Sequence, residues 1–143
     1  MKAAADIFVR DADWQVDGDV LRAIREAVFV REQAVPADLE WDEFDAPSHH
    51  ALAFAGDTPI GTGRLLADGH IGRMAVLRAW RGQGAGSALL THLMRIARVR
   101  GMKRVQLNAQ VQAVSFYLSH GFAVEGEEFP DAGIAHRKMW RAL

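Results

Sequence analysis

Six residues near the middle of the chain carry the first chemical signal: Arg81-Gly82-Gln83-Gly84-Ala85-Gly86. A β-prone run from Ile71 to Leu77 leads into them, and an apolar stripe at Leu89, Leu93 and Ile96 follows at helical spacing. A strand that passes through three close glycines into a helix start is an anion site in physical terms. The first helical N–H groups have no intrahelical partner and sit at the positive end of the helix dipole. Glycines let the backbone approach a phosphate closely, and Arg81 can add a charge-assisted hydrogen bond. The plainer reading is a loop that only needs positive φ angles. A P-loop is excluded, because Gly-x-x-x-x-Gly-Lys-Ser/Thr does not occur. The dinucleotide fingerprint fails too: the spacing is Gly-x-Gly-x-Gly, and no acid follows about 20 residues on to hold a ribose.

Other side chains able to do chemistry are few. Tyr117 is the only tyrosine, and there is no cysteine, hence no disulfide, thiolate metal site or cysteinyl nucleophile. A run of acids, Glu40, Asp42, Glu43 and Asp45, follows Glu32. His49 and His50 are adjacent, so on a strand they point to opposite faces. His70, His92, His120 and His136 are scattered without metal-ligand spacing, and no metal site is expected. His50 or His136 could line a pocket as a base, against the plainer role of a strand-end histidine. Arg64 and Arg73 sit in apolar strands and need partners, either the acidic segment or a ligand carboxylate. Trp41, inside that segment, is the tryptophan placed to touch a substrate.

The net charge of −1 hides a segregation. Residues 1–68 carry 14 acidic and 6 basic side chains, whereas residues 69–124 carry 8 basic ones and no acid. An acid-free block suggests a negatively charged partner, although Arg95, Arg98 and Arg100 also suit a helix C-terminus. A nucleic-acid-binding domain is the rival this block raises. Against it stand the pI near 6.6 and the lack of aromatics interleaved with the basic residues.

The elements that must position these groups fit one domain over the 143 residues. A β-prone run at Ile7 to Val9 precedes a helix from Val20, with Asp17 and Asp19 as possible N-caps. Pro36 ends that helix or opens a short second one. Ala51 to Ala55 and Ile60 to Leu66 read as a hairpin about Gly56-Asp57-Thr58-Pro59, followed by the strand Ile71 to Leu77 and the helix Ser87 to Val99. Val105 to Ala109 reads as a strand, Ala113 to Ser119 as a short helix and Gly121 to Val124 as a strand. A Glu- and Gly-rich loop then leads to a closing strand, His136 to Trp140. The expected class is α/β (α+β), a mixed and mostly antiparallel sheet flanked by helices. No apolar run approaches the roughly 20 residues of a membrane helix, and the first residues lack a signal-peptide core, so a cytoplasmic protein is expected.

Arg81-x-x-Gly84-x-Gly86, entered from Met74-Ala75-Val76-Leu77 and followed by Leu89-Leu90, resembles motif A of the GNAT superfamily of N-acetyltransferases. Ala113-x-x-Phe116-Tyr117-x-x-x-Gly121-Phe122 resembles its motif B, in the right order and at the right separation. The resemblance covers roughly residues 50–140. Val30-Arg31-Glu32-Gln33 with Asp42 to Asp45 is similar to the small bacterial ElaA-like branch.

The resemblance implies a GNAT-like fold and acetyl transfer from acetyl-CoA to a primary amine, by direct attack in a ternary complex and without a metal. Diphosphate would lie on the backbone of Arg81, Gly82, Gln83, Gly84, Ala85, Gly86 and Ser87. Pantetheine would run beside Met74, Ala75 and Val76, a bulged strand that splays from Val105 to Ala109. The N–H of Met74 or Val76 would polarise the thioester carbonyl. Gln110 stands where many members carry Asn and would bond pantetheine. Tyr117 would be the general acid toward the leaving sulfur, and Glu32 and Glu43 the candidate bases. Dimers are common among the resembling proteins. A silent CoA-binding module is the alternative within the same fold.

Overall fold

In the computed structural model, which describes residues 6–143, the chain opens with β1 (Ile7–Ala12) and α1 (Gly18–Arg25). The helix continues as a π-helical stretch over Glu26–Glu32. A four-residue α2 (Ala37–Glu40) follows, then β2 (His49–Ala55), β3 (Thr58–Leu65) and β4 (Ile71–Val76). Helix α3 (Ala85–Val99) leads to β5 (Arg104–Gln110), α4 (Val114–Ser119), β6 (Ala123–Asp131) and β7 (Ile134–Ala142).

The strands form two antiparallel sheets, β1-β2-β3-β4 and β5-β7-β6. Among the described residues a single parallel bridge, His70 to Gln106, joins them. β4 and β5 therefore meet at one end and part at the other.

Both faces of the first sheet are covered, and the strand sequences show why. Ala51 and Ala53 of β2 pack with Leu89, Leu90 and Leu93 of α3, while the alternate Leu52 packs with Leu21, Ile24 and Val28 of α1 and its extension. Gly61 lets α3 come close. A Cβ there would lie 3.0 Å from the Ala75 carbonyl oxygen and 3.1 Å from Leu89. That close approach lets Leu89 of α3 pack directly on β3 beside β4.

The elements expected from sequence are present with two corrections. The Glu- and Gly-rich stretch after Val124 is strand, not loop: β6 runs on to Asp131 and pairs with a β7 that reaches Ala142. Its register shifts between Glu125 and Phe129, and Glu125, Glu127 and Glu128 are all exposed. A bulge on a wet face erases the alternation by which strands are read. Asp17 occupies the N-cap of α1 but does not cap it. Its carboxylate instead accepts from Arg10 (3.0 and 3.1 Å) and from the Asp13 backbone N–H (2.9 Å).

Beneath α1 lies a buried lattice of three guanidinium groups and three carboxylates. Arg25, 1% exposed, donates to Glu40 (2.8 Å) and Asp45 (2.6 Å). Arg64 donates to Asp42 and Asp45, both at 2.7 Å. Arg73 reaches Asp42 at 3.2 Å and Glu40 at 3.3 Å. Trp14 and Trp41 flank the Arg25 guanidinium at 5.5 and 5.0 Å, so Trp41 packs on an ion pair. Burial pushes the Asp45 carboxyl up, but the bond from Arg25 and the nearby positive charges outweigh it and hold the group below the usual range. Removing one member of such a lattice leaves buried charge without a partner. Arg25→Met should cost about 3–5 kcal/mol and lower the melting temperature by on the order of 10–20 °C. A fall of only a degree or two in a circular dichroism melt would show that the lattice carries no stability.

Candidate active site

The open end of the gap between β4 and β5 is a cavity of about 880 Å³. β4 opens it through one residue. The register against β3 slips between Thr62 and Arg64, and Arg73 takes φ +49°. The left-handed region costs a side chain-bearing residue roughly 1–2 kcal/mol. Bonds from Arg73 to the Glu40 carbonyl (3.2 and 3.3 Å) and to Asp42 hold it there. Strain at such a position marks a functional site when the surroundings enforce it.

Met74, Ala75 and Val76 line the cavity, as do Arg81, Gln110 and Tyr117. Gly82, Gln83 and Gly84 lie outside its wall, exposed on the turn into α3. Gly82 and Gly84 have φ of +77° and +93°, and Gly84 is the N-cap of α3. That N-cap has no side-chain bond to the helix. Ala85 is buried, and Gly86 and Ser87 are half-buried in the first turn, where the Ser87 hydroxyl pairs with His120 at 2.9 Å. The glycine turn thus adjoins the cavity mouth.

Two groups that the sequence resemblance would assign to a cofactor, Arg81 and Gln110, are engaged within the chain. Arg81 pairs with Glu32 in a two-point contact (2.5 and 2.7 Å) and donates to the Val76 carbonyl at 3.0 Å. Gln110 and Gln33 exchange amide bonds of 2.7 and 3.3 Å. Consecutive residues at the end of the π-helical stretch therefore reach both sides of the gap. Gln33 was not singled out for this role from sequence; its position beside Glu32 was the available signal.

The candidate acid and bases fare differently. Tyr117 is 8% exposed, packed edge-on against Phe116 and Phe122, and burial pushes its phenol up to about 12. It keeps its proton through the neutral range. Glu32 is held below the usual carboxylate range by the hydrogen bond from Arg81, which makes it a weak base. Glu43 is exposed and outside the cavity wall, so the structure does not bring it to the site. Glu40 and Asp42 do line the cavity but belong to the buried lattice. His50 is 2% exposed, stacked on Trp14 and bonded to the Asp45 carbonyl, and burial lowers its affinity for a proton. That is a structural histidine. His136 lines the cavity.

One histidine cluster was illegible in sequence. Asp11, His49 and His92 converge, with the Asp11 carboxylate 2.9 and 2.6 Å from the two Nε2 atoms. Arg100 and Arg95 reach the Nδ1 atoms at 3.2 and 3.1 Å. An arginine only donates, so the Nε2 atoms carry the protons and donate to Asp11. The lone pairs a metal would need face the arginines, and the cluster clips α3 to β1 and β2.

The acetyltransferase (GNAT) domain profile matches residues 16–143. The chain belongs to the GNAT acetyltransferase family. It is 43% identical over 122 residues to YjcF of Bacillus subtilis (strain 168), named an uncharacterized N-acetyltransferase, covering 82% of this chain and 87% of that one. An acyl-CoA N-acyltransferase from Pseudomonas aeruginosa superposes with a TM-score of 0.84 at 28% identity, over 96% of this chain and all of the other (100%). Escherichia coli ElaA superposes at 0.83 with 29% identity, over 95% and 99%. The similarity to ElaA extends the resemblance first seen at Val30 to Gln33 and Asp42 to Asp45. These GNAT neighbours share the fold as a whole, antiparallel sheets with flanking helices.

The Glu32–Arg81 pair separates two roles for Glu32. Glu32→Gln should free Arg81 and tighten acetyl-CoA binding roughly two- to five-fold, the worth of a half-exposed pair, measured by calorimetry. Unchanged affinity with a collapse in turnover would make Glu32 the base instead.

Proposed function

We propose that this GNAT protein moves an acetyl group from acetyl-CoA to the nitrogen of a primary amine by direct attack in a ternary complex. The observation that carries the reading is the gap between β4 and β5, which opens beside the uncapped, glycine-turned start of α3. Unpaired N–H groups at that helix start suit the diphosphate. The unpaired edges of β4 and β5 suit the amides of pantetheine, which can bond as an added strand would. Met74, Ala75 and Val76 would lie along the arm, and Gln110 would exchange Gln33 for a pantetheine amide. Backbone N–H groups of β4, that of Met74 or Val76, would stabilise the oxyanion as the amine adds to the thioester. Tyr117, protonated at neutral pH, would give a proton to the departing thiolate. With no cysteine in the chain, a cysteinyl acyl-enzyme has no residue to form on.

The basic block invites a nucleic acid less once its partners are named. Arg73 serves Glu40 and Asp42, Arg81 serves Glu32, and Arg104 lies over Trp140 at 4.7 Å. Among the described residues no helix is long and apolar enough to cross a membrane.

The deciding experiment is acetyl-CoA binding by calorimetry together with thiol release against 2-phenylethylamine, tyramine, spermidine, lysine and glycinamide. Binding with release for at least one amine is expected, whereas binding with none would favour a silent CoA-binding module. Gly84→Val should remove the binding, because a β-branched residue resists φ +93°. Tyr117→Phe should leave binding intact and lower kcat at least ten-fold; full turnover in that variant would take Tyr117 out of the chemistry.

A further inference from the structure

We propose that His136 is the base that deprotonates the acceptor amine, an assignment that rests on the acetyl-transfer reading above. An ammonium ion has no lone pair, so a group in the cavity must take its proton before attack. That group must be in the wall, partly shielded, and own an unoccupied acceptor atom.

Elimination among the wall residues is short. Glu32 is bound to Arg81, Glu40 to Arg25 and Arg73, and Asp42 to Arg64 and Arg73. His70 lies at the closed end of the gap, beside the bridge to Gln106, and pairs with Asp68 at 2.9 Å. Asp131 stands exposed at the tip of the β6–β7 hairpin. Tyr117 holds its proton too firmly.

His136 meets each condition. It is 8% exposed, lines the cavity and stacks on Phe129 at 6.0 Å. Its Nδ1 lies 2.7 Å from the Ile134 carbonyl oxygen. A carbonyl only accepts, so Nδ1 carries the proton and the neutral ring presents its lone pair at Nε2. Among the described residues Nε2 has no hydrogen-bond partner, and it is not among the buried polar atoms left without one. It is therefore open to the cavity. β7 places His136 opposite Gln110 at the far end of β5, on the side that Gln33 and the π-helical stretch approach.

The step balances as follows. Nε2 takes one proton from the ammonium, and the freed lone pair forms the N–C bond to the acetyl carbonyl. Collapse breaks the C–S bond, and the thiolate takes the Tyr117 proton. The second nitrogen proton restores Tyr117 through water, and His136 releases its own to solvent. The products are the amide, CoA thiol and one net proton.

The test uses the amine giving the fastest thiol release in the panel above. His136→Ala and His136→Gln should lower kcat about 100-fold or more, with acetyl-CoA affinity within two-fold of the parent. The parent's rising limb of rate with pH should vanish in both variants and persist in Asp131→Asn. Imidazole added to His136→Ala should restore part of the rate, which repair of a merely structural defect would not do. Rates within three-fold of the parent, or loss of the limb in Asp131→Asn instead, would overturn the assignment. Failure of the parent to bind acetyl-CoA or release thiol would instead remove the acetyl-transfer reading and the base with it.

Discussion

Everything in this site depends on β4 departing from its neighbour, and one strained residue governs that departure. Arg73 in the left-handed region adds a residue to β4 against β3, and an extra residue bends a strand and raises its twist. With β4 turned away, β5 pairs with β7 on its other side, and the two sheets keep one bridge at His70 and Gln106. A continuous sheet would satisfy more backbone hydrogen bonds. The gap is maintained because the fold holds Arg73 by its side chain as well as by its backbone.

The buried charge lattice supplies that hold. Arg25 reaches it from α1, Glu40 from α2, Asp42 and Asp45 from the loop after α2, Arg64 from β3 and Arg73 from β4. Ion pairs of this kind seldom add net stability over a well-packed apolar alternative, yet breaking one is costly. Their consequence here is geometric. They fasten α1, α2 and the loop after it to β3 and β4, the strand at the gap.

Legibility followed the distance over which each feature is determined. The glycine turn, its strand and α3 are local, since Gly82 and Gly84 advertise positive φ and the Leu89–Leu93–Ile96 stripe advertises a helix, in whose first turn Gly86 lies. These are readable in sequence, as is the need of Arg64 and Arg73 for a carboxylate; that the acidic segment rather than a ligand supplies it is visible only in the fold. The continuation of β6 was hidden by its bulge and its wet face. Glu43 shows the limit for acids: Glu40, Asp42, Glu43 and Asp45 look alike in sequence, and only the tertiary packing buries Glu40 and Asp45, half-buries Asp42 and leaves Glu43 outside. The Asp11, His49 and His92 cluster brings together β1, β2 and α3, and no local spacing could announce it.

The end of the π-helical stretch ties these threads together. Glu32 holds the arginine before the glycine turn, and Gln33 holds the last side chain of β5. Their two partners are the side chains that a diphosphate and a pantetheine amide would also seek. A ligand in the gap therefore competes with Glu32 and Gln33, and whatever displaces them acts on the element that carries Val28 and Phe29 into the cavity wall. The half-exposed ion pair is worth about 1 kcal/mol or less, so this competition is weak enough for a nucleotide to win. Yet the two contacts are adjacent in sequence, Glu32 as the last π-helical residue and Gln33 as its C-cap, and π-helical turns are rare and recur at functional sites. On the proposed reading, a ligand that takes over Arg81 and Gln110 would free two neighbouring side chains next to the segment that carries Val28 and Phe29 into the cavity wall.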